Sequence, residues 1–143
     1  MRILAVDWGE RRIGLAVSDP SGTLASPLPT RVVRSPEDAI EQVAEVAVSE
    51  GAERIVVGLP LLLSGARGEA ALAAESFATR LAGRVTVPVE TYDERLTSAL
   101  GARMLRESGT RRRRDKGQLD QSAAVMLLDS FLQRLANRRR DQP

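Results

Sequence analysis

The stretch Ile3-Leu4-Ala5-Val6-Asp7-Trp8-Gly9-Glu10-Arg11-Arg12-Ile13-Gly14-Leu15-Ala16-Val17-Ser18 decides the fold. Residues 2–7 and 13–18 are apolar and rich in Ile, Val and Leu, the composition of strands. The polar residues Trp8 to Arg12 between them form a short turn, so the two runs read as a hairpin. Asp19-Pro20-Ser21-Gly22 supplies a second turn, because proline presets φ and glycine accepts positive φ. A third strand is expected within residues 23–33, broken by Pro27 and Pro29.

From there the chain alternates. Ser35-Pro36-Glu37-Asp38 is a helix start: a capping serine, a proline suited to the first helical position, and acids in the first turn. Ile40, Val43, Ala44 and Ala47 follow as one apolar stripe, ended by Gly51. Ile55-Val56-Val57 has the continuous apolar character of a buried parallel strand. After a loop over residues 59–68, a helix is expected from Glu69 to Ala82, stopping at Gly83. Val85 to Thr91 reads as the fifth strand, with a helix after Thr97 that ends near Gly109. Thr110 to Gly117 lacks apolar periodicity and reads as an exposed loop. The last helix is expected to start near Asp120 and to carry Ala123, Ala124, Leu127, Leu128, Phe131 and Leu135. The order βββαβαβαα predicts an α/β fold with a mixed five-stranded sheet, three antiparallel strands followed by parallel ones, and helices on both faces. Residues 1–137 form one domain in this reading, with 138–143 as a basic C-terminal tail.

At 143 residues, 43% of them hydrophobic and 3% aromatic, the chain can bury one core of Leu, Val, Ile and Ala. No apolar run approaches the roughly 20 residues a membrane-spanning helix needs, so no membrane association is expected. The start Met1 to Asp7 is too soon interrupted for a signal peptide, which makes a cytoplasmic location the simplest expectation. The absence of cysteine and histidine excludes disulfides, thiolate nucleophiles and imidazole catalysis. The formal net charge of +2 is uneven, about −4 over residues 1–102 and +6 over residues 103–143. That asymmetry suggests an anionic partner near the C-terminal third. A solvated surface explains Arg138 to Arg140 equally well.

Three acids stand where acids are usually avoided. Asp7 closes an apolar run, Glu94 follows the Val85–Val89 run, and Asp120 opens an apolar-faced stretch. Carboxylates converging without soft ligands suit a hard divalent cation and metal-assisted chemistry on phosphate. Two of them also have a plainer explanation, turn chemistry for Asp7 and an N-cap for Asp120, and the neighbouring Arg95 suits a surface ion pair. Asp93 and Thr97 suit turn and capping roles. Gly9 would let the chain turn away and give a phosphate close access. Val57-Gly58-Leu59-Pro60, with Ser64, Gly65 and Gly68, is either a substrate-contacting loop or an ordinary connection, and lacks the lysine and spacing of a P-loop.

Four ordered motifs carry a resemblance: Ala5 to Asp19, Val56 to Pro60, Asp93 to Thr97, and Asp120 with Ala123-Ala124. Together they resemble the YqgF family, also called RuvX, of the ribonuclease H-like superfamily, over Ile3 to about Leu132. The resemblance implies a bacterial nuclease with Asp7, Glu94 and Asp120 as the metal-binding, catalytic acids. It implies action in 5′-end maturation of the 16S ribosomal RNA precursor, or resolution of Holliday junctions, the latter calling for a homodimer where the former allows a monomer. Two Mg²⁺ or Mn²⁺ ions about 3.5–4 Å apart would flank the phosphodiester and leave 5′-phosphate and 3′-hydroxyl ends. Arg11, Arg12, Arg95 and the cluster Arg111, Arg112, Arg113 and Arg114 would hold the nucleic-acid backbone alongside Gly9. Leu62, Ser64, Leu100, Gly101 and Gln121 depart from the family's usual residues, which touches substrate contacts and none of the proposed ligands. A non-catalytic nucleic-acid-binding assembly factor is the rival from another class; an actin-like ATPase needs a second domain for which this chain is too short.

Overall fold

The computed structural model describes residues 1–97 and 116–141, with the side chains of 1–97 and 123–140. Five strands form one sheet in the order β3-β2-β1-β4-β5. They are β1 (Ile3–Asp7), β2 (Arg12–Ser18), β3 (Ala25–Val32), β4 (Arg54–Leu59) and β5 (Val89–Asp93). The helices are α1 (Pro36–Ser49), α2 (Glu69–Ala82) and α3 (Lys116–Asp141). β1 pairs antiparallel with β2, β2 antiparallel with β3, and β1–β4 and β4–β5 are parallel. This is the mixed sheet expected from the sequence.

The central place of β1 explains its composition. All five of its residues are buried, so it has no solvent face and no need to alternate. Its alternation instead sorts side chains between two cores. Leu4 and Val6 join Ile13, Leu15, Ile55 and Val57 beneath α1 and α2. Ile3 and Ala5 join Ala16, Val56 and the α3 residues Ala123, Ala124, Leu127 and Leu128 on the opposite face. Helix α1 starts as predicted: the Ser35 hydroxyl accepts a hydrogen bond from the Asp38 N–H at 3.1 Å.

The structure corrects three boundaries. β3 runs unbroken through Pro27 and Pro29. It is an edge strand, where a residue without an N–H need not interrupt the ladder. β5 starts at Val89, four residues later than expected. Val85 and Val87 pack on the core without joining the sheet, so their apolar character marks burial alone. Helix α3 begins at Lys116 and extends to Asp141, taking in the end of the expected loop and Arg138 to Arg140. The expected helix after Thr97 and the arginines 111–114 lie outside the described residues.

Candidate active site

Asp7 is the last residue of β1, paired with Gly14 of β2, and only 3% exposed. Strand alternation gives it the face of Ile3 and Ala5, the one covered by α3. On the other side, Val6 pairs with Val57 of β4, so Gly58 comes next alongside Asp7. Gly58 in turn pairs with Tyr92 of β5, whose ring meets Phe131 of α3 edge-on at 5.5 Å.

Glu94 completes the arrangement. β5 ends at Asp93 and a single 3-10 turn, Glu94–Leu96, follows. The turn is fastened by the Asp93 carboxylate, which accepts from the Arg95 N–H at 2.9 Å, and by the Thr97 hydroxyl, which donates to the Glu94 carbonyl at 2.9 Å. Glu94 itself is 1% exposed. A Cβ placed on Gly58 would overlap Glu94 Oε1 and stand 3.1 Å from its Cγ and Cδ. The Glu94 carboxylate therefore fills the space where residue 58 would carry a side chain, one strand over from Asp7. Adjacent strands lie about 4.8 Å apart, so the Glu94 carboxylate, lying over Gly58 of β4, is about one strand spacing from Asp7 of β1. Gly58 thus has a role in the site itself, which its motif alone does not reveal.

Asp120 is the fifth residue of α3, well inside the helix, which removes the N-cap explanation. It lies one turn before Ala123 and Ala124, both fully buried against the sheet; its side chain is outside those described. Among the described residues no group of three potential ligands gathers, and Asp7 and Glu94 are the two buried acids there. Both offer hard oxygen donors of the kind a divalent cation takes. The donor set fits such an ion.

The expected phosphate-holding residues divide. Arg11 and Arg12 are exposed beside the β1–β2 turn. Gly9 shapes that turn, since a Cβ there would stand 2.5 Å from the Arg12 carbonyl oxygen. Arg95 is committed to its own turn: it pairs with Asp93 at 2.7 Å and reaches the Leu63 carbonyl at 3.5 Å. That guanidinium holds the Asp93 carboxyl below the usual carboxylate range.

A family model described as "RuvX: Holliday junction resolvase" matches residues 1–134. The chain belongs to the RuvX family. A relative from Chloroflexus aurantiacus, named "Putative pre-16S rRNA nuclease", is 45% identical over 130 residues, covering 91% of this chain and 85% of the relative. One of the same name from Pelotomaculum thermopropionicum is 39% identical over 142 residues, covering 99% and 92%. Among solved structures, Thermus thermophilus RuvC is similar with a TM-score of 0.57 at 20% identity, covering 95% of this chain and 97% of that one. The RuvX member described here thus has the ribonuclease H-like fold that its four motifs imply.

Proposed function

We propose that this chain is a divalent-metal-dependent nuclease that hydrolyses phosphodiester bonds in maturing the 5′ end of the 16S ribosomal RNA precursor. The observation that carries the reading is the pair of buried carboxylates, Asp7 and Glu94, brought to one face over Gly58. The relatives' shared name favours precursor ribosomal RNA over junction DNA as substrate.

Asp7 and Glu94 would hold the metal, joined by Asp120 from α3, whose helical position aligns with Ala123, Ala124 and Leu127. When bound, Mg²⁺ or Mn²⁺ there supplies Lewis-acid polarisation of the phosphodiester and neutralises charge that develops on its oxygens. The chain's own contribution is rigidity. Asp7 is pinned by its pairing with Gly14 of β2 and follows Val6, which pairs with β4; Glu94 is pinned by the fastened turn and by the bare backbone beneath it. Carboxylates so fixed need no reorganisation when the reaction begins. Arg11 and Arg12, exposed at the same end of the sheet, would contact backbone phosphate without reading sequence.

The test is cleavage of labelled precursor ribosomal RNA, single strands and four-way junctions in Mg²⁺ and Mn²⁺, with Asp7→Asn as control. Metal-dependent cleavage of the precursor, lost in the variant, is the expected result. A variant as active as the parent would defeat the assignment, and preferential junction cleavage would redirect it to DNA.

A further inference from the structure

Beside the carboxylate site, on the opposite face of the sheet, lies an open pocket of about 560 Å³ between the β1–β2 turn, the start of α1 and the flank of α2. That volume falls in the range of sites that accept a small organic group. Its lining combines an aromatic wall with cations. Trp8, half-buried, packs with Phe77 at a ring-centroid distance of 6.2 Å, and both rings border the space. Arg11, Arg34 and Arg80 border it too, against the single carboxylate of Glu10.

The arginines differ in how they are used. Arg80 is neutralised by Glu37 at 2.9 Å. Arg11 and Arg34 are exposed, and among the described residues no carboxylate forms an ion pair with either. An aromatic wall and two unneutralised arginines lining one pocket match the chemistry of a nucleotide: a flat base and an anionic phosphate. The position matches as well. Asp7 belongs to the α3 face, whereas Trp8, the next residue, and Gly9 line this pocket, so the two lie on either side of the end of β1.

We propose that this pocket holds one unpaired nucleotide of the substrate strand, its base against Trp8 and its phosphate between Arg11 and Arg34, as the strand passes over Gly9 from the Asp7–Glu94 site. The inference rests on the nuclease reading for the origin of the strand, and it assigns Trp8 and Arg34 a substrate-positioning role. A base seated there requires a single-stranded segment next to the scissile bond, because a duplex cannot present an isolated base face.

Trp8 is the only tryptophan in the chain, so its emission reports the pocket directly. The full chain in EDTA is titrated with a single-stranded adenylate hexamer, as RNA and as DNA, and with an abasic hexamer carrying the same phosphates. Saturable quenching by both adenylate hexamers and little by the abasic one is expected. The double variant Arg11→Ala/Arg34→Ala should need about tenfold more hexamer to reach half-quenching, while Arg84→Ala, which removes an exposed arginine outside the lining, should quench like the parent. Because both arginines are exposed, these variants leave the core intact, and circular dichroism confirms it. Unchanged Trp8 emission with the adenylate hexamers, or equal quenching by the abasic hexamer, overturns the proposal. A parent protein that quenches yet cleaves nothing in Mg²⁺ or Mn²⁺ supports the pocket and separately removes the nuclease reading.

Discussion

The two faces of the sheet are built to different ends. Under α1 and α2 the sheet presents large side chains, with Leu4, Val6, Ile13, Leu15, Ile55 and Val57 meeting Val43, Phe77 and Leu81. Under α3 the aliphatic contribution of the sheet is smaller: Ile3, Ala5, Ala16 and Val56, with Tyr92, meet Ala123, Ala124, Leu127, Leu128 and Phe131. The first face supplies the buried area that stabilises a domain of this size. On the second, small residues let a helix approach closely, and the same strands carry their acids to its end. The lesson is that stability and chemistry share one sheet by using alternate residues of the same strands.

Substitutions that strike one face alone can break or sharpen this comparison. Asp7→Asn, on the α3 face, should lower cleavage at least about 10³-fold, near 4 kcal/mol in barrier terms. It should leave the fold standing in EDTA, because the amide is nearly isosteric with the carboxylate. Activity assays and thermal melts check the two halves. Leu15→Ala, on the other face and fully buried, should do the reverse: a stability loss of about 2–5 kcal/mol in urea unfolding, with the folded fraction cleaving normally.

Gly58→Ala probes the meeting of the two carboxylates. Its new methyl must displace Glu94, and overpacking of this kind costs about 1–3 kcal/mol. Cleavage should fall about tenfold or more, with metal affinity falling in parallel; an unaltered enzyme would mean that Glu94 has no fixed place. Ser35→Ala removes the α1 cap and should cost about 1 kcal/mol of stability without touching activity, as read by denaturant melts beside the cleavage assay. The smallest effect concerns Asp93, whose depressed folded-state pKa comes from Arg95. Its stabilising contribution is present above the ordinary aspartate pKa and fades as pH falls through the folded value. Arg95→Ala should therefore flatten the acid side of the stability profile slightly, as followed by melts from pH 6 downward.

Much of this was legible in the residues. The β1–β2 hairpin is written as two apolar runs around a polar turn, α1 carries both its Ser35 cap and its stripe, and α2 ends at Gly83 as its stripe does. Asp7 stood out because an acid ending a buried run demands an explanation. What escaped was long-range. Whether a proline breaks a strand depends on the strand's place in the sheet, and nothing local marks β3 as an edge. Val85 and Val87 look like strand residues because burial and pairing select the same side chains. Lys116 to Leu119 show no apolar stripe, so the extra turn of α3 had no signature. Locally Gly58 reads only as part of a loop motif, since the side chain that occupies its empty place comes from Glu94, far along the chain.

The central claim is that Asp7 and Glu94 share one divalent cation. Calorimetric titration of Mn²⁺ into the parent chain, Asp7→Asn and Glu94→Gln tests it most directly. The account predicts saturable binding in the parent and at least about tenfold weaker binding in each variant, near 1.4 kcal/mol. Equal Mn²⁺ affinity in all three would contradict it.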